Sequence, residues 1–224
     1  MIESTDTPAN TALDIIRLGR KAYDEVWDRQ KRLVDERRLG TVPDTLILVE
    51  HDPVYTLGKN SNENHLLRSR DTNIPVYQIE RGGDVTFHGP GQLVGYPILD
   101  LHDHRLSVSW YIRTLEAVLI ETLGQFCIEA RRRAGLTGVW VGEEKIAALG
   151  VRLSRWVSMH GFALNVNTDL NFFDGIIPCG IFEYDVTSMT RVLGKEVSMV
   201  EVEETLITIF RTLFSFQKCE LAHA

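Results

Sequence analysis

Apolar and polar positions alternate along this chain with two periods, and the switches between them mark out the elements. Leu13 to Leu18 predicts a short strand, and Tyr23, Val26, Trp27, Gln30 and Val34 fall on one face of a helix that Gly40 closes. The unbroken apolar run Thr45–Glu50 predicts a central strand. His51-Asp52-Pro53 then turns the chain, and Val54–Gly58 is expected to return as its antiparallel partner. A polar loop spans Lys59 to Arg70, and Val76–Ile79 is a strand leading into the glycine-rich stretch Arg81–Gln92. Gln92–Asp100 is another strand, broken late by Pro97.

Val108 to Phe126 carries a long amphipathic helical pattern. Gly138–Gly142 and Lys145–Leu153 predict a hairpin around Gly142-Glu143-Glu144, and Trp156–Val166 predicts a further strand. Val202, Leu206, Ile209, Phe210 and Leu213 mark a last helix. Strand pairs of antiparallel appearance separated by three amphipathic helices predict an α+β fold, a mixed or antiparallel sheet with flanking helices on one side. No repeat or linker divides the chain. The expected organisation is a polar, disordered tail over 1–12 and one catalytic domain over 13–216, with a possible small lobe from about Asp185.

Charge narrows the function. A net charge of −7 argues against a nucleic-acid binder, which needs surplus Lys and Arg. There is no apolar run long enough to span a membrane and no signal-peptide pattern. The three cysteines Cys127, Cys179 and Cys219 are odd in number and widely spaced, against a disulfide framework or a zinc ribbon. A reducing cytoplasm and a monomer are expected.

The chemistry has few candidates. Cys127, beside Phe126, reads as a small buried hydrophobe, and Cys219 lies near the terminus. Cys179 stands in Ile177-Pro178-Cys179-Gly180-Ile181, where Pro and Gly present a side chain at a turn; a nucleophile and a structural residue fit this equally. A cysteine nucleophile needs a neighbouring base or cation. Lys145 opens the small-residue run Ile146-Ala147-Ala148-Leu149-Gly150 and is either partly desolvated there or one charge of a solvated hairpin tip. His102-Asp103-His104 lacks further ligands at metal spacing, so no metal is expected. Arg81 can bind an anion or pair with Asp84, and His88 can meet a substrate from inside the glycine loop. His160 reads as a structural hydrogen-bonding residue. The P-loop motif and a serine nucleophile elbow are both missing.

Taken together, Arg81-Gly82-Gly83, Thr86-Phe87-His88, Gly91-Gln92 and Tyr96 resemble the signature of the lipoyl/octanoyl transferase family. So do Lys145–Gly150 with His160-Gly161-Phe162-Ala163-Leu164-Asn165, and the Cys179 block; the likeness runs from about Leu13 to Phe214. Leu149 is the one small departure, where the family often carries isoleucine. The resemblance implies a core like those of biotin- and lipoate-protein ligases and class II aminoacyl-tRNA synthetases. It implies that Cys179 forms an acyl thioester and Lys145 completes a dyad. Arg81, Gly82, Gly83, Asp84, Val85, Thr86, Phe87 and His88 would contact substrate, with Ala148, Leu149, Gly150, Gly161, Phe162 and Ala163. The family's donor is octanoyl acyl carrier protein, with the acyl group on phosphopantetheine. Its acceptors are lipoyl domains of 2-oxoacid dehydrogenase E2 subunits and the glycine cleavage H protein, and no other cofactor is implied. An ATP-dependent ligase of the same fold and a catalytically silent scaffold are the rival readings. An acidic carrier calls for a basic face, for which Arg17, Arg20, Lys21 and Arg131–Arg133 are the candidates.

Overall fold

Strand β1 (Leu13–Lys21), helix α1 (Tyr23–Arg38) and strand β2 (Asp44–His51) form the first unit of the chain, seen here in a computed structural model that describes residues 12–67, 70–177 and 185–216. Helix α1 buries Tyr23, Val26, Gln30 and Val34 in one stripe and carries Asp24 and Glu25 in its first turn and Arg37 and Arg38 in its last, matching the helix dipole at both ends. Because this helix carries the chain back across the sheet, β1 and β2 run parallel, which makes the sheet a mixed one.

Two sheets follow. The larger has seven strands in the order β1-β2-β6-β10-β9-β8-β7, with β6 (Gln92–Ile98), β7 (Arg131–Arg133), β8 (Leu136–Val141), β9 (Glu144–Ser154) and β10 (Val157–Asn165). The smaller sets β3 (Val54–Leu57) between β4 (Val76–Gln78) and β5 (Val85–His88). Thus β3 does not return beside β2. Both edges of β2 are taken by β1 and β6, so the Asp52-Pro53 turn delivers the chain to another sheet. Part of the expected glycine loop is strand β5, and Pro97 sits inside β6 opposite Leu46 instead of ending it.

The large sheet is covered on both faces, where one was expected. Val26 of α1 packs with Ile47, Val49, Val94, Tyr96 and Ala163 on one side. On the other, α2 (Val108–Gln125) and α4 (Met199–Leu213) pack through Leu115, Leu119, Val202 and Phe210 onto Leu93, Phe162 and Leu164. Strands β6 and β10 are buried at every position, as strands buried on both faces must be. A short helix α3 (Met189–Leu193) precedes α4. Cys127 is exposed, not buried: α2 ends at Gln125, and the left-handed turn at Cys127 (φ 59°) points it outward.

Charged side chains tie the far end of the sheet. Asp44, 1 % exposed, accepts from Arg37 Nε at 2.8 Å and from the Asp100 amide at 2.9 Å, and pairs with His104 Nε2 at 2.6 Å. Arg37 also reaches Asp103. The basic side chains that were to form a docking face are largely matched by acidic neighbours. Arg17 meets Glu203 and Glu204, Arg20 meets Asp52, Arg131 and Arg133 meet Glu143, and Arg132 meets the buried Glu116.

Candidate active site

Where the end of β6 nearest Gln92, the middle of β9 and β10, and the small sheet approach one another, they line an open-mouthed cavity, about 760 Å³ when the open solvent at its mouth is included. Small residues make the room. On β9, Ala148, Leu149 and Gly150 stand opposite Ala163, Phe162 and Gly161 of β10. An ideal Cβ on Gly161 would fall 2.1 Å from the Gly95 carbonyl oxygen, so only glycine lets β10 close on β6 there.

Most of the anticipated contact residues do line this cavity: Arg81, Gly83, Asp84, Val85, Thr86 and His88 on one side, Ala148 to Gly150 and Gly161 to Ala163 on the other. Two do not. Gly82 donates its amide to the Val151 carbonyl (3.0 Å), stitching the loop to β9. Phe87 is turned away into a cluster with Tyr55, Phe172 and Phe173, its ring stacked 4.7 Å from Phe172. It supports the wall from behind, in the apolar cluster that Val85 also joins.

Arg81 holds the loop in place. Its guanidinium donates to the Thr56 carbonyl (2.8 Å) and hydroxyl (3.0 Å) and to the Gly82 carbonyl (3.0 Å). A Cβ on Gly150 would meet Arg81 Cδ at 2.9 Å and one on Gly58 would meet its guanidinium at 2.9 Å, so glycines make room for the arginine as well as for a ligand. Asp84 pairs with His65 Nδ1 at 2.5 Å and accepts the Val85 amide at 2.8 Å.

Lys145 lines the same cavity, half-buried, with its ammonium 4.8 Å from the Trp140 ring centroid. Its stem crosses Gly138, whose ideal Cβ would lie 3.2 Å from Lys145 Cε. Its amide donates to the Asp185 carbonyl at 2.9 Å, and its carbonyl accepts from the Thr187 amide at 3.0 Å. At the other end, the Ile177 amide donates to the His65 carbonyl at 2.8 Å. Cys179, the anticipated nucleophile, lies outside the described residues. The chain to either side of 178–184 borders the cavity, through Phe173 before it and Val186 after it.

Sequence reading passed over several lining residues, among them Tyr23, Val94, Tyr96, Asn165 and His160. The first four had a signal: Val94 and Tyr96 alternate along the strand leaving the glycine motif, Tyr23 heads the apolar stripe of α1, and Asn165 ends the β10 block. Tyr96 and Asn165 belong to polar networks. His51 donates from Nδ1 to the Lys21 carbonyl (3.0 Å), so its Nε2 accepts from Tyr96 (2.8 Å). His88 Nδ1 donates to Gln92 Oε1 (2.8 Å), Gln92 donates to Asn165 (2.9 Å), and Asn165 donates to the Thr187 carbonyl (3.0 Å).

Burial drives these histidines towards the neutral form: His51 falls to about 4, and His88 and His160 to about 3, with neighbouring Arg81 adding to the last two. The sign follows directly. An unfolded chain protonates these rings near 6.5 while the native one resists, so stability is lost as pH falls below that value. Urea midpoints should therefore drop between about pH 7 and about pH 5. Equal midpoints would show that the rings are hydrated and charged in the native state.

Residues 22–211 match the family of lipoyl protein ligase A/B catalytic domains. The octanoyltransferase of Solibacter usitatus is 51 % identical over 205 residues, covering 90 % of this chain and 92 % of its own. That of Rubrobacter xylanophilus is 49 % identical over 210 residues, covering 89 % and 93 %. Among solved structures, a putative lipoate protein ligase of Thermoplasma acidophilum superimposes with a TM-score of 0.71 at 18 % identity, over 91 % of this chain and 85 % of its own. The Aquifex aeolicus biotin protein ligase in complex with biotin and ATP does so with 0.58 at 17 %, over 90 % and 70 %. The ligases share the fold, and the close relatives narrow the chemistry: the chain belongs to the lipoyl protein ligase A/B catalytic-domain family, and within it to the octanoyltransferases.

Proposed function

We propose that this enzyme moves its octanoyl group from the phosphopantetheine of an acyl carrier protein to a lipoyl-domain lysine, through a thioester on Cys179 and without nucleotide. The Cys179 sulfur attacks the donor carbonyl, and the pantetheine thiolate leaves with the proton that Lys145 took from the cysteine. The acceptor amine then attacks the Cys179 thioester, Lys145 accepts its proton, and the cysteine sulfur is released as an amide forms. Exchange of one thioester for another is nearly isoenergetic and amide formation runs downhill, so no activated adenylate is needed. Lipoyl domains of 2-oxoacid dehydrogenases and the glycine cleavage H protein are the acceptors proposed.

One observation carries this reading. The apolar cavity has Lys145 in its wall, and the described residues on either side of the Cys179-bearing stretch are hydrogen-bonded to Lys145 and to His65, whose ring pairs with the lining Asp84. Val94, Leu149, Phe162 and Ala163 offer the chain an apolar wall, worth about 0.8 kcal/mol per methylene removed from water.

Mixing the protein with octanoyl carrier protein should add one octanoyl mass on Cys179, removable by hydroxylamine, and Cys179→Ala should show none. Transfer that instead requires free octanoate and ATP, with no adduct, would identify a ligase.

A further inference from the structure

The proposed reaction uses one end of the cavity, while the other end carries polar atoms that this chemistry does not need. By the β9–β10 register, His160 lies opposite Val151, six residues past Lys145 (151 − 145). That is roughly 20 Å along the strand, at about 3.3 Å per residue. His160 lines the cavity, its side chain is 2 % exposed, and neither ring nitrogen has a hydrogen-bond partner among the described residues. Glu80 Oε2, also without a hydrogen-bond partner among them, stands 3.8 Å from Nε2.

The backbone shows that this placement is built. Alternation along β10 sends Met159 and Ala163 to the α1 face and Phe162 and Leu164 to the opposite core. By count His160 belongs with Phe162 and Leu164. Instead it takes a left-handed conformation (φ 60°), rare for a residue with a side chain, and Gln30 Oε1 accepts its amide at 3.0 Å. The turn brings the imidazole into the cavity. Strained backbone of this kind gathers where ligands bind. Held neutral by burial and by Arg81 and Arg152, the ring offers one donor and one acceptor nitrogen. An apolar tail pressed against it leaves both unmade, which is costly once water is excluded.

We propose that the end of the cavity opposite Lys145 is a polar terminus built on His160, which stops an apolar acyl chain and accepts a hydroxyl or similarly small hydrogen-bonding group in its place. The inference rests on the acyl-cavity reading above and extends its substrates to medium-chain acyl groups hydroxylated at the far carbon. Water takes that position when the tail is apolar.

Methyl 8-hydroxyoctanoate and methyl nonanoate form a matched pair, equal in heavy atoms and differing by a hydroxyl for a methyl. Calorimetric titration of the full chain should show the hydroxy ester binding about tenfold tighter, whereas a purely apolar tunnel reverses the order. Equal or tighter binding of the nonanoate, or binding of neither ester, overturns the proposal. His160→Gly suits the left-handed backbone, and the preference should invert there; a preference kept intact in that variant also overturns it. The wild-type pair decides the matter if the variant does not fold. Turnover of octanoyl carrier protein on the same preparation is read separately, so a failure of the transfer reaction is distinguished from a failure of the terminus.

Discussion

Lys145→Met should lower kcat for octanoyl transfer by about three orders of magnitude while leaving the thermal midpoint nearly unchanged. The backbone of Lys145 is fixed by Asp185 and Thr187 whatever its side chain, and methionine retains an apolar stem to cross Gly138 and reach Trp140. On the proposed mechanism, what is removed is the group that takes and returns a proton. Lys145→Arg sharpens the test. It keeps a positive charge, but a guanidinium does not give up its proton, so arginine should rescue little of the rate. Stopped assays with each variant settle the role. A fall of less than about tenfold in Lys145→Met, or full activity in Lys145→Arg, would reduce Lys145 to an electrostatic neighbour.

The largest effect on folding is expected far from the cavity, at Asp44. Asp44→Ala should cost about 3–5 kcal/mol, because it leaves Arg37 and His104 without their shared carboxylate in a buried setting. For a chain of this size that is a fall of the order of 10 °C in Tm. Asp44 opens β2, and its partners come from the end of α1 and the turn after β6, so one carboxylate joins three separate parts of the chain. Activity per folded molecule should survive, since the cavity lies at the other end of β6. Calorimetric unfolding of Asp44→Ala and Asp44→Asn measures this, and a loss below about 1 kcal/mol in the alanine variant would mean water reaches the pair.

How much of this was legible depended on whether a residue's part is local. The apolar stripe of α1 and the pattern of α2 are local, and the helices lie where periodicity put them. The sheet assignment of Val54–Leu57 is not local. Those residues are apolar enough for either sheet, and the choice turned on β1 and β6 having filled both edges of β2, one of them some forty residues later in the chain. The sites divide in the same way. Lys145, whose sequence setting fitted a solvated hairpin tip as well as a desolvated site, lines one cavity with the motif residues Arg81 and His88. Phe87, named as a contact residue through its motif, packs behind the wall with Tyr55, Phe172 and Phe173, a placement its motif does not encode. His160 was undervalued because parity predicts the core face, and only its left-handed backbone overrides it.

The packing around Arg81 bears on how such an enzyme could be redesigned. Gly58, Gly83 and Gly150 form a mould around one arginine, with ideal Cβ positions 2.9 to 3.3 Å from its atoms. A library that diversifies those glycines in search of new substrates would mostly sample collapsed loops. Val94, Leu149 and Ala163 face the same space without gripping the arginine. They are where altered acyl specificity should be sought, with the glycine motif held constant as scaffold.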